Sequence, residues 1–239
     1  MSTFNFDFIL PTITTLSTVA IFASQLSVLN KIKAVDKDVA IEQRVTIPIM
    51  PYIATFANCC MWLKYGLLTD NLTIKIVNLF GACTSTIIIY SLFVNFRRKK
   101  RFTRLFIPLC FILLLFFLGI KKESTDSIKF IFSLLCCFAT VLFFTAPLAS
   151  LPTVYKYQNA SILNKPTAVV TLISSFLWFT FGLSISDPFI FFPNGIGFIS
   201  AFILLFSIYK FDKSSYSTVY NGLENNTTNT SLDDPQQTN

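Results

Sequence analysis

Histidine is absent from this chain, and its 239 residues include only 12 Asp and Glu, 7 Gly and 2 Trp. The six cysteines (Cys59, Cys60, Cys83, Cys110, Cys136, Cys137) all fall inside apolar runs, where Cys packs as a small hydrophobe. The adjacent pairs Cys59–Cys60 and Cys136–Cys137 lack ligand spacing, and without His a zinc site has too few donors. No nucleophile–base pair stands out either, so the chain is expected to be no enzyme and to need no metal or cofactor. Charge is scarce: 13% of the residues carry one, against ~25% in a soluble domain. Those few charges sit in short runs, which argues against one or two soluble domains.

Between the charged runs the chain is long and apolar, with 53% hydrophobic residues and a mean hydropathy of +0.63. A helix needs roughly 20 apolar residues to cross a bilayer. Charge-free stretches of that order cover residues 8–30, 45–63, 76–96, 130–155, 166–186 and 188–209, with a shorter one at 105–120. The short one still spans if its polar ends snorkel and the bilayer thins. Short alternating strands are missing, which argues against a membrane barrel. The fold class is therefore an all-α membrane protein with seven transmembrane helices. Residues 1–7 hold no Lys or Arg and no small-residue cleavage site follows, so the first stretch reads as a helix rather than a signal peptide.

Lys and Arg orient such a chain, because they stay on the cytoplasmic side. With the N-terminus outside, the inner loops and tail carry Lys31, Lys33, Lys37, Arg44, Arg97, Arg98, Lys99, Lys100, Arg101, Arg104, Lys156, Lys165, Lys210 and Lys213. The outer side keeps Lys121, Lys122 and Lys129, with Lys64 and Lys75 read as snorkelling at helix ends near it. The basic run at 97–104 is thus a membrane anchor and not a nucleic-acid patch. From 212 to 239 the chain is polar and reads as a disordered cytoplasmic tail. Asn71-Leu72-Thr73 is a glycosylation triplet in an outer loop, close to the membrane.

The sequence repeats itself. Thr18-Val19 through Leu26 aligns with Thr140-Val141 through Leu148 at an offset of 122, and Trp62-x-x-x-Gly66-Leu67 with Trp178-x-x-x-Gly182-Leu183 at 116. Asn78-x-x-Gly81 and Asn194-x-x-Gly197 follow sixteen residues after each Trp. Residues 8–96 and 128–211 are then two three-helix copies, and 105–120 is a linker helix between them. Equivalent helices are an even number of spans apart, so the copies are parallel repeats (3+1+3) related by an axis along the membrane normal. A site is expected where they meet.

The residues to build it come in pairs. Asn78 and Asn194 are amides that hydrocarbon tolerates only against a partner or a cavity. Trp62 and Trp178 are the only tryptophans. Each offers a flat apolar face that suits the C–H face of a sugar, while the amides bond its hydroxyls. Thr18 with Thr140, and Asn58 with Ser174, add polar groups from matching positions. None of the acidic residues lies deep in a span, so no group is placed to carry a coupling proton. Downhill uniport of a neutral polyhydroxylated solute follows as the simplest mechanism.

In these motifs the chain resembles the SWEET (MtN3/saliva) family of sugar transporters over about residues 10–211. Pro51-Tyr52, Asn58-Cys59, Trp62-x-x-Tyr65-Gly66-Leu67 and Asn78-x-x-Gly81 are similar to the first repeat of that family. Ala146-Pro147-Leu148, Trp178-x-x-x-Gly182-Leu183, Asp187-Pro188-Phe189 and Pro193-Asn194-Gly195-x-Gly197 are similar to the second. The resemblance implies facilitative, bidirectional transport of a glucose-like hexose or sucrose-like disaccharide by alternating access. Its pocket would comprise Asn78, Asn194, Trp62 and Trp178, flanked by Thr18, Ile21, Asn58, Thr140, Phe143 and Ser174. It also implies an outer gate of Tyr65 and Asp187, and bending prolines at Pro51, Pro147 and Pro166. Three positions depart from the pattern: Phe181 replaces a gate tyrosine, Gln25 replaces the helix 1 proline, and Pro166 lies two residues after the expected position, Asn164. Ile21 and Phe143 are bulky walls and point to a smaller solute. The expected setting is a lipid bilayer, the plasma membrane first and the Golgi or another internal membrane second, with the chain as a homo-oligomer. A proton-coupled amino-acid carrier of the PQ-loop type is the alternative, since Gln25-Leu26 resembles part of its motif; the missing intramembrane carboxylate argues against it. A seven-helix receptor has no tandem three-helix repeat.

Overall fold

The computed structural model describes residues 6–33, 49–95, 99–121 and 124–230, and all regular structure among them is helical. Five of the basic residues counted above (Lys37, Arg44, Arg97, Arg98, Lys122) lie outside the described residues, as do Asp36, Asp38, Glu42, Glu123 and the end of the tail at 231–239. The helices are α1 (Phe6–Gln25), α2 (Val28–Lys33), α3 (Met50–Leu68), α4 (Leu72–Asn95), α5 (Lys99–Gly119), α6 (Asp126–Thr145), α7 (Leu151–Tyr157), α8 (Lys165–Ser184) and α9 (Pro188–Thr230). A 3-10 turn, Ala146–Ser150, joins α6 to α7.

Six segments are long and apolar enough to cross a membrane: Phe8–Asn30, Leu72–Val94, Phe102–Gly119, Asp126–Tyr157, Lys165–Ser184 and Pro188–Phe211. Helix α3 is 19 residues long, but Pro51, Asn58 and Lys64 lower its average hydropathy. Packing supplies what composition does not, because α3 touches α4, α5 and α6. A span flanked on three sides by other helices can carry polar groups that lipid would not accept.

Charge-free runs miss part of the helix ends. Lys64 and Lys75 lie inside α3 and α4 rather than beyond them. Lys75 pairs with Asp70 at 2.7 Å. Lys64 does not snorkel: it is buried, and its Nζ donates to the Phe117 carbonyl at 2.9 Å. That carbonyl is one of the last four of α5, which have no partner within their own helix. A cation there also meets the negative end of the helix dipole. The basic side chain therefore clasps the linker helix to the first repeat.

At the far end, α9 continues to Thr230, well past residue 212 where composition predicts the tail to begin. Extending an existing helix costs far less than nucleating one, so a polar stretch can follow the membrane span without a break.

The two copies fold alike. In each, the first helix packs against the third and the third against the second: α1 on α4 on α3, and α6 on α9 on α8. Between copies, α1 meets α8 and α3 meets α6. The six helices thus close a ring, and α5 lies outside it against α3. The offset changes from 122 to 116 because the connection after the first helix is six residues longer in the first copy. Loops absorb such insertions at little cost.

Small residues set the close approaches. A Cβ on Gly81 would lie 2.6 Å from Cys59 Sγ and 2.7 Å from the Phe22 ring, and one on Gly197 would lie 2.6 Å from the Phe144 ring. Phe22 and Phe144 are themselves 122 apart. The hairpins α3–α4 and α8–α9 turn identically: the Asn71 N–H donates to the Gly66 carbonyl at 3.0 Å and the Asp187 N–H to Gly182 at 2.9 Å. Asp70 and Ser186 take the left-handed conformation between them, at φ 56° and 55°, as a helix-ending motif of this kind requires.

The break in each first helix also repeats. Pro147 lies in the 3-10 turn after α6, and the chain leaves α1 at Gln25, its partner position, although no proline is there. There the Leu26 N–H donates to the Ala23 carbonyl and the Ser27 N–H to the Ser24 carbonyl, both at 3.1 Å, so i→i−3 bonds replace the α-helical pattern.

Candidate functional site

A cavity of about 460 Å³ runs between the two copies. It is lined by all ten residues that the pairing and the resemblance singled out: Thr18, Ile21, Asn58, Trp62, Asn78, Thr140, Phe143, Ser174, Trp178 and Asn194. A volume of this order is typical of small-molecule sites, as is the mixture of apolar walls with a few polar groups.

The symmetry of the fold reappears in its hydrogen bonds. Trp62 Nε1–H donates to Thr140 Oγ1 at 2.8 Å, and Trp178 Nε1–H to Thr18 Oγ1 at 3.1 Å. Each bond runs from the second helix of one copy to the first helix of the other. The indole N–H groups are consequently satisfied across the repeat interface, and both indoles border the cavity. Trp62 meets Tyr65 in a T-shaped contact at 5.2 Å, and Trp178 meets Phe181 in another at 5.6 Å. Asn78 Nδ2 donates to the Ile74 carbonyl at 2.9 Å and Asn194 Nδ2 to Ile190 at 2.8 Å. Each carboxamide uses one N–H to fix its own orientation. That leaves both Oδ1 atoms and the second N–H of each for a solute. Asn58 Oδ1 lies 3.2 Å from Thr140 Oγ1, which ties a third amide into the same network.

The cavity is shut at one end. Tyr65 Oη–H donates to Asp187 Oδ2 at 2.6 Å, joining α3 to the start of α9. Asp187 Oδ1 accepts from the Phe189 N–H at 3.0 Å, so the carboxylate caps a helix while its other oxygen accepts from Tyr65. Asn71, its partner position in the first copy, caps α4 through the Ile74 N–H at 3.1 Å. Phe181 stands where a second tyrosine would meet it and has no hydroxyl to offer. The shut end is sealed by one apolar cluster shared by both copies, including Leu10, Tyr65, Ile74, Phe132, Phe181 and Ile190.

At the other end the packing divides. Val28, Ile53, Ile88 and Phe102 form a cluster within the first copy and the linker helix, and Val154, Leu204, Ile208 and Phe211 form one within the second. The cavity opens between these two, past Ser24, Gln25, Pro166 and Thr167. Pro51 and Pro166 both occupy the second position of their helices, α3 and α8, where a missing N–H costs nothing. Pro147 lies in the 3-10 turn, and of the three only Pro166 touches the cavity.

Further lining residues escape a search for rare residue types. Thr55 and Thr171 are 116 apart, and Phe22 and Phe144 are 122 apart; all four line the cavity. Thr and Phe are too common here for such a pair to stand out unaided, but the repeat offsets applied position by position find both. Among the described residues, no Asp, Glu, Lys or Arg lines the cavity.

Three comparisons bear on this site. A family described as sugar efflux transporters for intercellular exchange matches residues 8–101 and 130–215, the two copies without the linker helix. The sugar transporter SWEET1 of Drosophila pseudoobscura pseudoobscura is 32% identical over 174 residues, covering 70% of this chain and 76% of the relative. The bidirectional sugar transporter SWEET7 of Arabidopsis thaliana is 28% identical over 172 residues, covering 67% and 66%. A solved eukaryotic SWEET transporter shares the fold, with a TM-score of 0.69 at 21% identity over 86% of this chain and 96% of that one.

Proposed function

The chain belongs to the SWEET family of sugar efflux transporters, and from that premise we propose that it carries neutral sugars down their gradient in either direction by alternating access. The observation that carries this reading is the cavity between the copies. Two equivalent indoles and two equivalent amides converge there, with no charged side chain among the described residues. Stacking on Trp62 and Trp178 and bonding to the Asn78 and Asn194 amides suit an uncharged, hydroxyl-rich ring. The conformation is the one in which the Tyr65–Asp187 end is closed and the Gln25–Pro166 end open. In the opposite state the shared cluster at Tyr65 parts and the two separate clusters meet, so that the copies rock about the bound sugar. Breaks at Gln25 and Pro147 give each first helix a place to bend.

By the positive-inside balance the N-terminus is outside and the open end faces the cytoplasm. An impermeant antibody reaching a C-terminal tag on intact cells would reverse that orientation. The transport reading is tested by uptake of labelled sugars in transporter-deficient cells, repeated with Asn78→Ala and Asn194→Ala at matched surface levels. Loss of a hydrogen bond to a buried hydroxyl costs about 1 kcal/mol or more, so each variant should lose most uptake. Wild-type rates in both would reduce the amides to packing groups.

A further inference from the structure

On α1 and α6 the cavity lining stops at Thr18 and Thr140. The helix faces that carry those two residues continue toward the shut end. Leu10, Thr14, Thr18, Ile21 and Gln25 follow one another on α1 at spacings of three or four. Phe132, Cys136, Thr140 and Phe143 do the same on α6, each 122 residues after its α1 counterpart. Leu10, Phe132 and Cys136 belong to the cluster that seals the shut end. Thr14 lies one turn from both Leu10 and Thr18 and is fully buried, yet its Oγ1 has no hydrogen-bond partner among the described residues. Other threonines of α1 do have one: Thr12, Thr15 and Thr18 each donate to the carbonyl four residues earlier, at 2.7, 2.7 and 2.8 Å. Cys136, the repeat partner of Thr14, reaches into the other copy, where its Sγ–H donates to the Met61 carbonyl on α3 at 3.8 Å. The matching carbonyl for Thr14 is that of Leu177 on α8, which accepts instead from Thr180 Oγ1 at 2.9 Å.

A hydroxyl buried without a partner raises the energy of the state that buries it. Parting the seal admits water, or a solute hydroxyl, to Thr14 and removes that cost. Resting on the alternating-access reading, we infer that Thr14 and Cys136 form the next rung of the solute path, uncovered when the shut end opens, and that the Thr14 hydroxyl favours that opening. A solute hydroxyl released by Thr18 then meets Thr14 one turn further along α1, ~6 Å away at 1.5 Å per residue. The hydroxyl acts on the balance between the two states, because it is unsatisfied only while the seal is shut.

Cys136 serves as the reporter. A membrane-impermeant, positively charged methanethiosulfonate is applied outside intact cells expressing the full chain, and labelling of Cys136 is followed by peptide mass spectrometry, with Cys136→Ser as the blank. Cys136 should be labelled in the wild type, since each outward opening uncovers it. Thr14→Val keeps the shape and removes the hydroxyl, so the shut seal gains stability and labelling should slow about fivefold or more at matched surface levels. Thr14→Ser keeps the hydroxyl and should label at least as fast as the wild type. Should Thr14→Val not reach the surface, Thr14→Cys combined with Cys136→Ser reads the same rung, and position 14 should be labelled from outside. A wild type that carries labelled glucose while Cys136 stays unlabelled, or equal labelling rates in wild type and Thr14→Val, would place both residues in static packing and overturn the inference alone. Failure of the wild type to carry any labelled sugar would overturn the transport reading beneath it.

Discussion

Replacing Thr140 by valine removes the acceptor that holds Trp62 while keeping the shape of the side chain. Trp62 is 7% exposed, and its N–H has Thr140 Oγ1 as its partner at 2.8 Å. In the variant that N–H is left buried and unpaired, and Asn58 Oδ1 loses its neighbour at 3.2 Å. An unsatisfied buried group costs about 1–3 kcal/mol, so ~2 kcal/mol is expected. The repeat-equivalent change, Thr18→Val, should cost roughly half of that, because bonds formed with the solvent filling the cavity replace much of what is lost. Its bond is longer, at 3.1 Å, and Trp178 is only partly buried. For a chain of this size 1 kcal/mol corresponds to about 2–4 °C in Tm. Thermal melts of the purified protein in detergent should therefore fall by ~4–8 °C for Thr140→Val and by about half as much for Thr18→Val. Combining Thr140→Val with Trp62→Phe isolates the pairwise part, and the threonine change should then cost little more. A wild-type melting temperature for Thr140→Val, or a larger loss for Thr18→Val, would refute the idea that crossed indole bonds tie the copies together.

Two other substitutions follow from departures from symmetry. Phe181→Tyr should place a hydroxyl toward Asn71, as Tyr65 does toward Asp187, and add a second latch worth about 0.5–1.5 kcal/mol. Influx at matched surface level should slow by roughly two- to tenfold, and unchanged or faster influx would mean that this contact does not gate the cavity. Lys64→Met keeps the apolar stem but removes the cap on α5, so the melting temperature should drop by a few degrees with the sugar KM unaltered. An undisturbed melting temperature would leave the clasp without energetic weight.

Much of this architecture is legible in the sequence because rare residues repeat at fixed spacing. Two tryptophans and two spaced Asn-x-x-Gly motifs located both copies and the amides and indoles of the cavity. The bond pattern was not legible, since nothing in the spacing says that Trp62 reaches Thr140 rather than a group in its own copy. The charge-free run predicts an end for α3 at 63, yet the helix continues to Leu68 because Lys64 finds a carbonyl partner that hydropathy cannot anticipate. The break at Gln25 is not legible either: no proline marks it, and the chain turns there through i→i−3 backbone bonds from Leu26 and Ser27. Thr55 and Thr171 do not stand out because threonine is common, although the offset of 116 relates them as plainly as it relates the tryptophans.

Uptake into proteoliposomes tests the central claim most directly, since only the purified protein, lipid and a labelled sugar are present. With no ion gradient, glucose should enter until inside and outside concentrations match, and unlabelled glucose loaded inside should produce a transient overshoot of label. With no carboxylate or amine among the described residues of the cavity, the rate should vary little over roughly pH 5 to 8 and ignore a protonophore. Entry no faster than into empty vesicles, or accumulation above the outside concentration that collapses with a proton gradient, would contradict the account.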